Sequence, residues 1–124
     1  MSCLFVSLQY FLNDSNVDIR NKICDYLTEN KPILDGLETN TILNMENPNY
    51  IQDMRKINTW GGAIEIQAAC NIWGVKVIVK DIRNNENNDN NKNNQIEFIP
   101  VSNSFNTTIY LEWNGCHYEP IKKL

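Results

Sequence analysis

Apolar residues recur along this chain at two periods, and the change of period divides it. In the opening stretch Leu4, Phe5, Leu8, Phe11 and Leu12 stand at i, i+1, i+4, i+7 and i+8, one wide face of an α-helix over Cys3–Leu12. Ser2 is placed to cap it, which puts Cys3 at the first helical position. The polar "NDSN" breaks the pattern, and Ser15 and Asp18 then have capping-box spacing, with Asp in place of the usual Glu. Ile19, Ile23, Tyr26 and Leu27 continue a second helix that ends before Pro32. Residues 31–47 read as loop or short helix. Asn47-Pro48 resembles an N-cap followed by proline at the first helical position, opening a short helix through Met54.

After the break at Thr59-Trp60-Gly61-Gly62, the stretch Ala63–Trp73 is apolar almost all round, the mark of a buried helix, with Gly74 as its stop. Beyond Gly74 the period shortens. "VKVIVKDI" at 75–82, "IEFIPV" at 96–101 and "TIYLEW" at 108–113 read as β-strands. Between the first two lies "NNENNDNNKNN", residues 84–94, which offers nothing to bury and is expected to be a solvated, mobile loop. Helices first and strands last predict one α+β domain over residues 1–124, three-layer α/β/α-like, with a small central sheet flanked by helices.

Composition narrows the function classes. The formal charge of −4 lacks the clustered Lys and Arg that phosphate contacts need, and the closing "IKKL" is too short to change this. No apolar stretch approaches the roughly 18 residues of a membrane span, and no signal peptide opens the chain, so a cytoplasmic protein without nucleic-acid or membrane partners is expected. Cys3, Cys24, Cys70 and Cys116 allow two disulfides on paper, but without a secretory signal free thiols are the expectation. There is no C-x-x-C pair and the single His adjoins a Cys, so zinc spacing is absent and no cofactor is implied.

Those thiols are not equivalent. A cysteine nucleophile works as thiolate, which requires its pKa to fall from about 8.5. The unpaired N–H groups and macrodipole of a helix N-terminus favour that charge, and Cys3 has the setting. Cys24 and Cys70 fall inside helices as small core residues, and Cys116 falls in the "NGC" turn. His117 is the sole available imidazole base. If residues 115–119 run extended, His117 and Glu119 project to one side, so that Glu119 holds the ring while Tyr118 faces away and packs. A structural cysteine and a structural histidine would leave the same spacing.

Three blocks in order carry a resemblance. "CLFVS" at 3–7, "YIQDM" at 50–54 with "WGGAIEIQA" at 60–68, and the late "HY" at 117–118 resemble the ovarian-tumour (OTU) family of cysteine deubiquitinases, with the strand "VKVIV" in its place between them. The likeness runs from Cys3 to Ile121. It implies an OTU-type, papain-like fold and thiol-dependent hydrolysis of the isopeptide bond joining ubiquitin's C-terminal Gly to lysine. The implied partner is ubiquitin, polyubiquitin or another ubiquitin-like modifier, with a monomer as the default. Cys3 carries over as nucleophile and His117 as base and then acid. Glu119 stands where the family commonly has Asn or Asp, one methylene longer, as the orienting residue. Trp60, Gly61, Gly62 and Glu65 read as structural, the glycines for close packing and Trp60 as core.

The family's Asp-Gly before the nucleophile has no counterpart here, since only Met1 and Ser2 precede Cys3. That loop supplies backbone donors to the oxyanion in the family, and losing one such donor costs on the order of 10²–10³ in rate. Reduced turnover is therefore expected. The alternatives are an inactive ubiquitin-binding or regulatory remnant of the same fold, and a longer native chain starting upstream.

Overall fold

The computed structural model describes residues 3–33, 36, 38–82 and 95–121. The Asn-rich stretch 84–94, the proposed cap Ser2 and the closing Lys122-Lys123-Leu124 lie outside these residues. Among the described residues five helices precede the first of four strands: α1 (Cys3–Phe11), α2 (Asn16–Thr28), α3 (Thr39–Glu46), α4 (Tyr50–Met54), α5 (Ala63–Trp73), β1 (Val75–Asp81), β2 (Gln95–Phe98), β3 (Thr107–Trp113) and β4 (Tyr118–Pro120).

The sheet order is β2-β1-β3-β4. β1 pairs antiparallel with β2 and parallel with β3, and β4 returns antiparallel along β3, with Trp113 opposite Tyr118 and Glu112 opposite Glu119. Val75, Val77 and Val79 share one face of β1 and Ile109 and Leu111 one face of β3, and all are buried, as is Ile78 on the other face of β1. The three valines, Ile109 and Leu111 join the buried stripe of α1 (Leu4, Phe5, Leu8) and the interior of α5 (Ile66, Ala68, Ala69, Cys70) in one core. α5 packs on β1 and β2, α1 packs on β4, and α2 lies against both α1 and α5.

Local chemistry accounts for the start of α2 and both ends of α5. Ser15 caps α2, its hydroxyl accepting from the Asp18 N–H at 3.1 Å. α5 starts where the Glu65 carboxylate accepts the Gly62 N–H at 2.8 Å, and stops at Gly74, which takes the left-handed conformation (φ 64°) and donates its N–H to the Cys70 carbonyl.

Four expectations need correction. The short helix does not open at Asn47-Pro48. The Asn47 side chain accepts the Asn49 N–H at 2.9 Å and donates to Asp53 at 3.0 Å, so it builds a turn, and α4 begins at Tyr50. The second strand stops at Phe98 rather than running to 101, because the chain beyond it turns to α5. Gln67 donates to the Ile99 carbonyl at 2.8 Å, and the Val101 N–H donates to Asn71 at 2.8 Å. Trp60 is not core but 50% exposed. It is Gly61 whose backbone presses on α1: a Cβ there would meet Leu4 Cδ2 at 2.8 Å and the Phe5 ring at 3.0 Å. Gly62 has nothing within 4 Å of that position, so only one of the two glycines serves close packing.

Candidate active site

Cys3 is the first residue of α1 and is partly exposed, while its carbonyl accepts the Ser7 hydroxyl at 2.8 Å one turn on. The other thiols differ. Cys24 and Cys70 are fully buried, and burial pushes Cys24 up to about 11 and Cys70 up to about 12, so neither is a thiolate near neutral pH. Cys116 is exposed. All four are free. Among the described residues no group of three His, Cys, Asp or Glu side chains gathers as metal ligands.

At the opposite end of the chain, the expected extended run over 115–119 is in fact a turn and then a strand. Asn114 Oδ1 accepts the N–H of Cys116 at 3.0 Å and of His117 at 2.8 Å, and the Asn114 N–H donates to the His117 carbonyl at 3.2 Å. Gly115 sits at φ 106°, a conformation that glycine adopts at little cost and residues with a Cβ do not. The sequence reading recognised "NG" as a turn but missed that the Asn114 side chain seats His117. The Asn-Gly pair was the available signal.

The end of this turn and β4 then bring the expected neighbours side by side. His117 Nε2 lies 3.3 Å from Glu119 Oε2, with both side chains about half exposed. Tyr118 turns the other way, stacks on Trp113 at 6.3 Å between ring centroids and joins the core margin. Burial pushes its phenol up, and negative charge on Cys3 or Glu65 pushes in the same direction. The helix that begins with Cys3 and the strand that follows His117 thus pack on each other. Beside them a hollow of about 470 Å³ runs between Trp60, Gly61, Trp113, Gly115, Cys116 and Tyr118. Trp60 also walls a second hollow of about 540 Å³, reaching Tyr50, Asp53 and Glu65.

A family model described as OTU-like cysteine protease matches residues 2–119. The chain belongs to that family. Among curated relatives, the OTU-like chain is 26% identical over 121 residues to the ubiquitin thioesterase OTU1 of Drosophila pseudoobscura pseudoobscura, covering 97% of itself and 31% of the relative. It is 30% identical over 122 residues to ubiquitin thioesterase OTU1 of Saccharomyces cerevisiae, covering 97% of itself and 36% of the relative. This OTU-like chain therefore spans about a third of the length of these relatives. Its fold is similar to an OTU domain solved in complex with ubiquitin (TM-score 0.71, 28% identity, 96% of this chain and 62% of the other). It is also similar to the viral OTU domain protease of Dera Ghazi Khan virus (TM-score 0.64, 19% identity, 96% and 72%).

Proposed function

We propose that this OTU-like domain is a thiol-dependent ubiquitin isopeptidase in which Cys3, His117 and Glu119 carry the chemistry. The observation that supports it most is the 3.3 Å approach of His117 Nε2 to Glu119 on a strand end packed against the helix that Cys3 opens. With Nε2 engaged by the carboxylate, Nδ1 is the nitrogen assigned to the thiol proton. The Cys3 thiolate attacks the carbonyl of ubiquitin's terminal Gly, His117 returns the proton to the departing lysine amine, and water activated by the same imidazole cleaves the thioester. The hollow beside Trp60 and Cys116 has the apolar lining that an extended peptide tail would use. That relatives are named ubiquitin thioesterases, and that one similar structure holds ubiquitin, favours ubiquitin as the partner.

The residues ahead of the nucleophile set the rate in this reading. A polypeptide beginning Met1-Ser2-Cys3 is expected to turn over slowly, and one extended upstream by Asp-Gly-Asn is expected to be faster by on the order of 10²-fold, as an added oxyanion donor would make it. The decisive experiment is capture by a ubiquitin vinyl-type electrophile. Labelling that is lost in Cys3→Ala and retained in Cys24→Ala, Cys70→Ala and Cys116→Ala supports the enzyme. Ubiquitin binding without labelling in either the short or the extended form would reduce the protein to a binding domain.

A further inference from the structure

The segment joining α4 to α5 carries Trp60 and Gly61, and two buried charged residues hold its ends. Arg20, only 2% exposed, donates from Nη1 to the Met54 carbonyl at 2.7 Å and from Nη2 to the carbonyls of Ile57 at 3.2 Å and Thr59 at 3.0 Å. Its guanidinium lies 4.2 Å above the centre of the Phe5 ring. At the far end the Glu65 carboxylate, 1% exposed, accepts the Gly62 N–H at 2.8 Å and the Tyr50 hydroxyl at 2.6 Å.

Phe5 is two residues from Cys3, in the first turn of α1, and the same ring touches Gly61. One guanidinium is thus in contact with the turn that presents the thiol and with the segment that walls the hollow beside the His117 turn. A loop of this length does not need a buried cation for stability. Desolvating a charge is costly, and packed apolar side chains commonly serve as well. What Arg offers over an apolar residue or Lys is a planar fork that fixes several carbonyls at once while stacking on a ring.

We propose that Arg20 is a positioning residue for Cys3: by stacking on Phe5 and anchoring the carbonyls of residues 54, 57 and 59, it fixes the first turn of α1 against the Trp60–Gly61 segment and so sets where the thiol stands relative to His117. The inference rests on Cys3 and His117 being the reacting pair. A side chain that moves its neighbour by about an ångström is enough to cost on the order of 10²-fold in rate.

The test uses the 124-residue chain and the variants Arg20→Lys and Phe5→Leu, the latter leaving in place the Arg20 groups that bond the carbonyls of Met54, Ile57 and Thr59. One readout needs no ubiquitin: the rate of iodoacetamide alkylation at Cys3 against pH, located by peptide mass, with His117→Ala as reference. The other is kcat and KM on a ubiquitin C-terminal fluorogenic amide, using the upstream-extended chain where the short one is too slow. In folded Arg20→Lys, kcat is expected to fall at least tenfold with KM within about twofold, and the alkylation profile to move toward that of His117→Ala. Phe5→Leu is expected to shift both readouts the same way by less, and it decides the matter if Arg20→Lys does not fold. A variant that melts lower yet keeps the parent's kcat and alkylation profile overturns the positioning role alone. A parent whose Cys3 profile ignores His117→Ala removes the reacting pair, and this role with it.

Discussion

His117 and Glu119 stand 3.3 Å apart with both side chains about half exposed, and solvent screening leaves such a pair little energy of its own, so the role proposed for Glu119 is to orient the ring. The two members of the contact should therefore differ in cost. His117→Ala is expected to lower turnover on ubiquitin chains by at least about 10²-fold, the range that general acid–base groups supply, and Glu119→Ala by about tenfold. Equal losses from the two would count against an orienting role for Glu119. The thiols make a second prediction at this scale. In native protein at pH 8 an aromatic disulfide reagent should modify Cys3 and Cys116 and spare Cys24 and Cys70, which are buried and whose thiols burial holds at about 11 and about 12. All four should react in denaturant. Native reaction of four would mean that the core opens readily.

Elements meet closely at Gly61. The Cβ of Gly61→Ala would stand 2.8 Å from Leu4 Cδ2 and 3.0 Å from the Phe5 ring, both in the packed first turn of α1, so the turn or the segment must shift. Overpacking of that kind costs about 1–3 kcal/mol, and here it also moves the turn that carries Cys3. Gly62→Ala places its methyl in open space on extended backbone (φ −152°), and should cost less than half as much. Chemical denaturation of the two variants compares them directly, and a Gly62→Ala as damaging as Gly61→Ala would contradict the geometry.

For the whole molecule, Glu65 couples stability to pH. Burial raises its carboxyl above the ordinary 4.5, against the pull of the Tyr50 and Gly62 hydrogen bonds and the Arg20 charge. Between the ordinary value and the raised one the folded chain binds more protons than the unfolded chain. The stability this group contributes is therefore full below the ordinary value and is lost as pH climbs through the folded one. Relative to Glu65→Gln, which has no such titration, the parent should lose unfolding free energy as pH rises from 4 toward 8. Denaturant midpoints of both proteins across that range test it, and a constant difference between them would show that Glu65 titrates normally. Other carboxylates cancel in the comparison, since both proteins share them.

The alternation of period read from the chain orders most of the elements, leaving α3 open between loop and helix and β4 unassigned. α1, α2, α5, β1 and β3 fall within a residue or two of their expected limits, because each buries a stripe or a face whose spacing is local information. The same local information placed Cys3 at a helix start and set His117 beside Glu119. It did not distinguish Gly61 from Gly62 or explain why a charged residue stands at position 20 on the helix face shared by Ile23, Cys24 and Leu27, and it assigned the half-exposed Trp60 to the core. Those points depend on contacts between segments tens of residues apart: Arg20 with residues 54–59, Phe5 with Gly61, Gln67 with Ile99. A one-dimensional pattern records how much of a residue prefers burial. Which neighbour it is buried against, and so what it holds in place, is fixed only when helices and sheet close on one another.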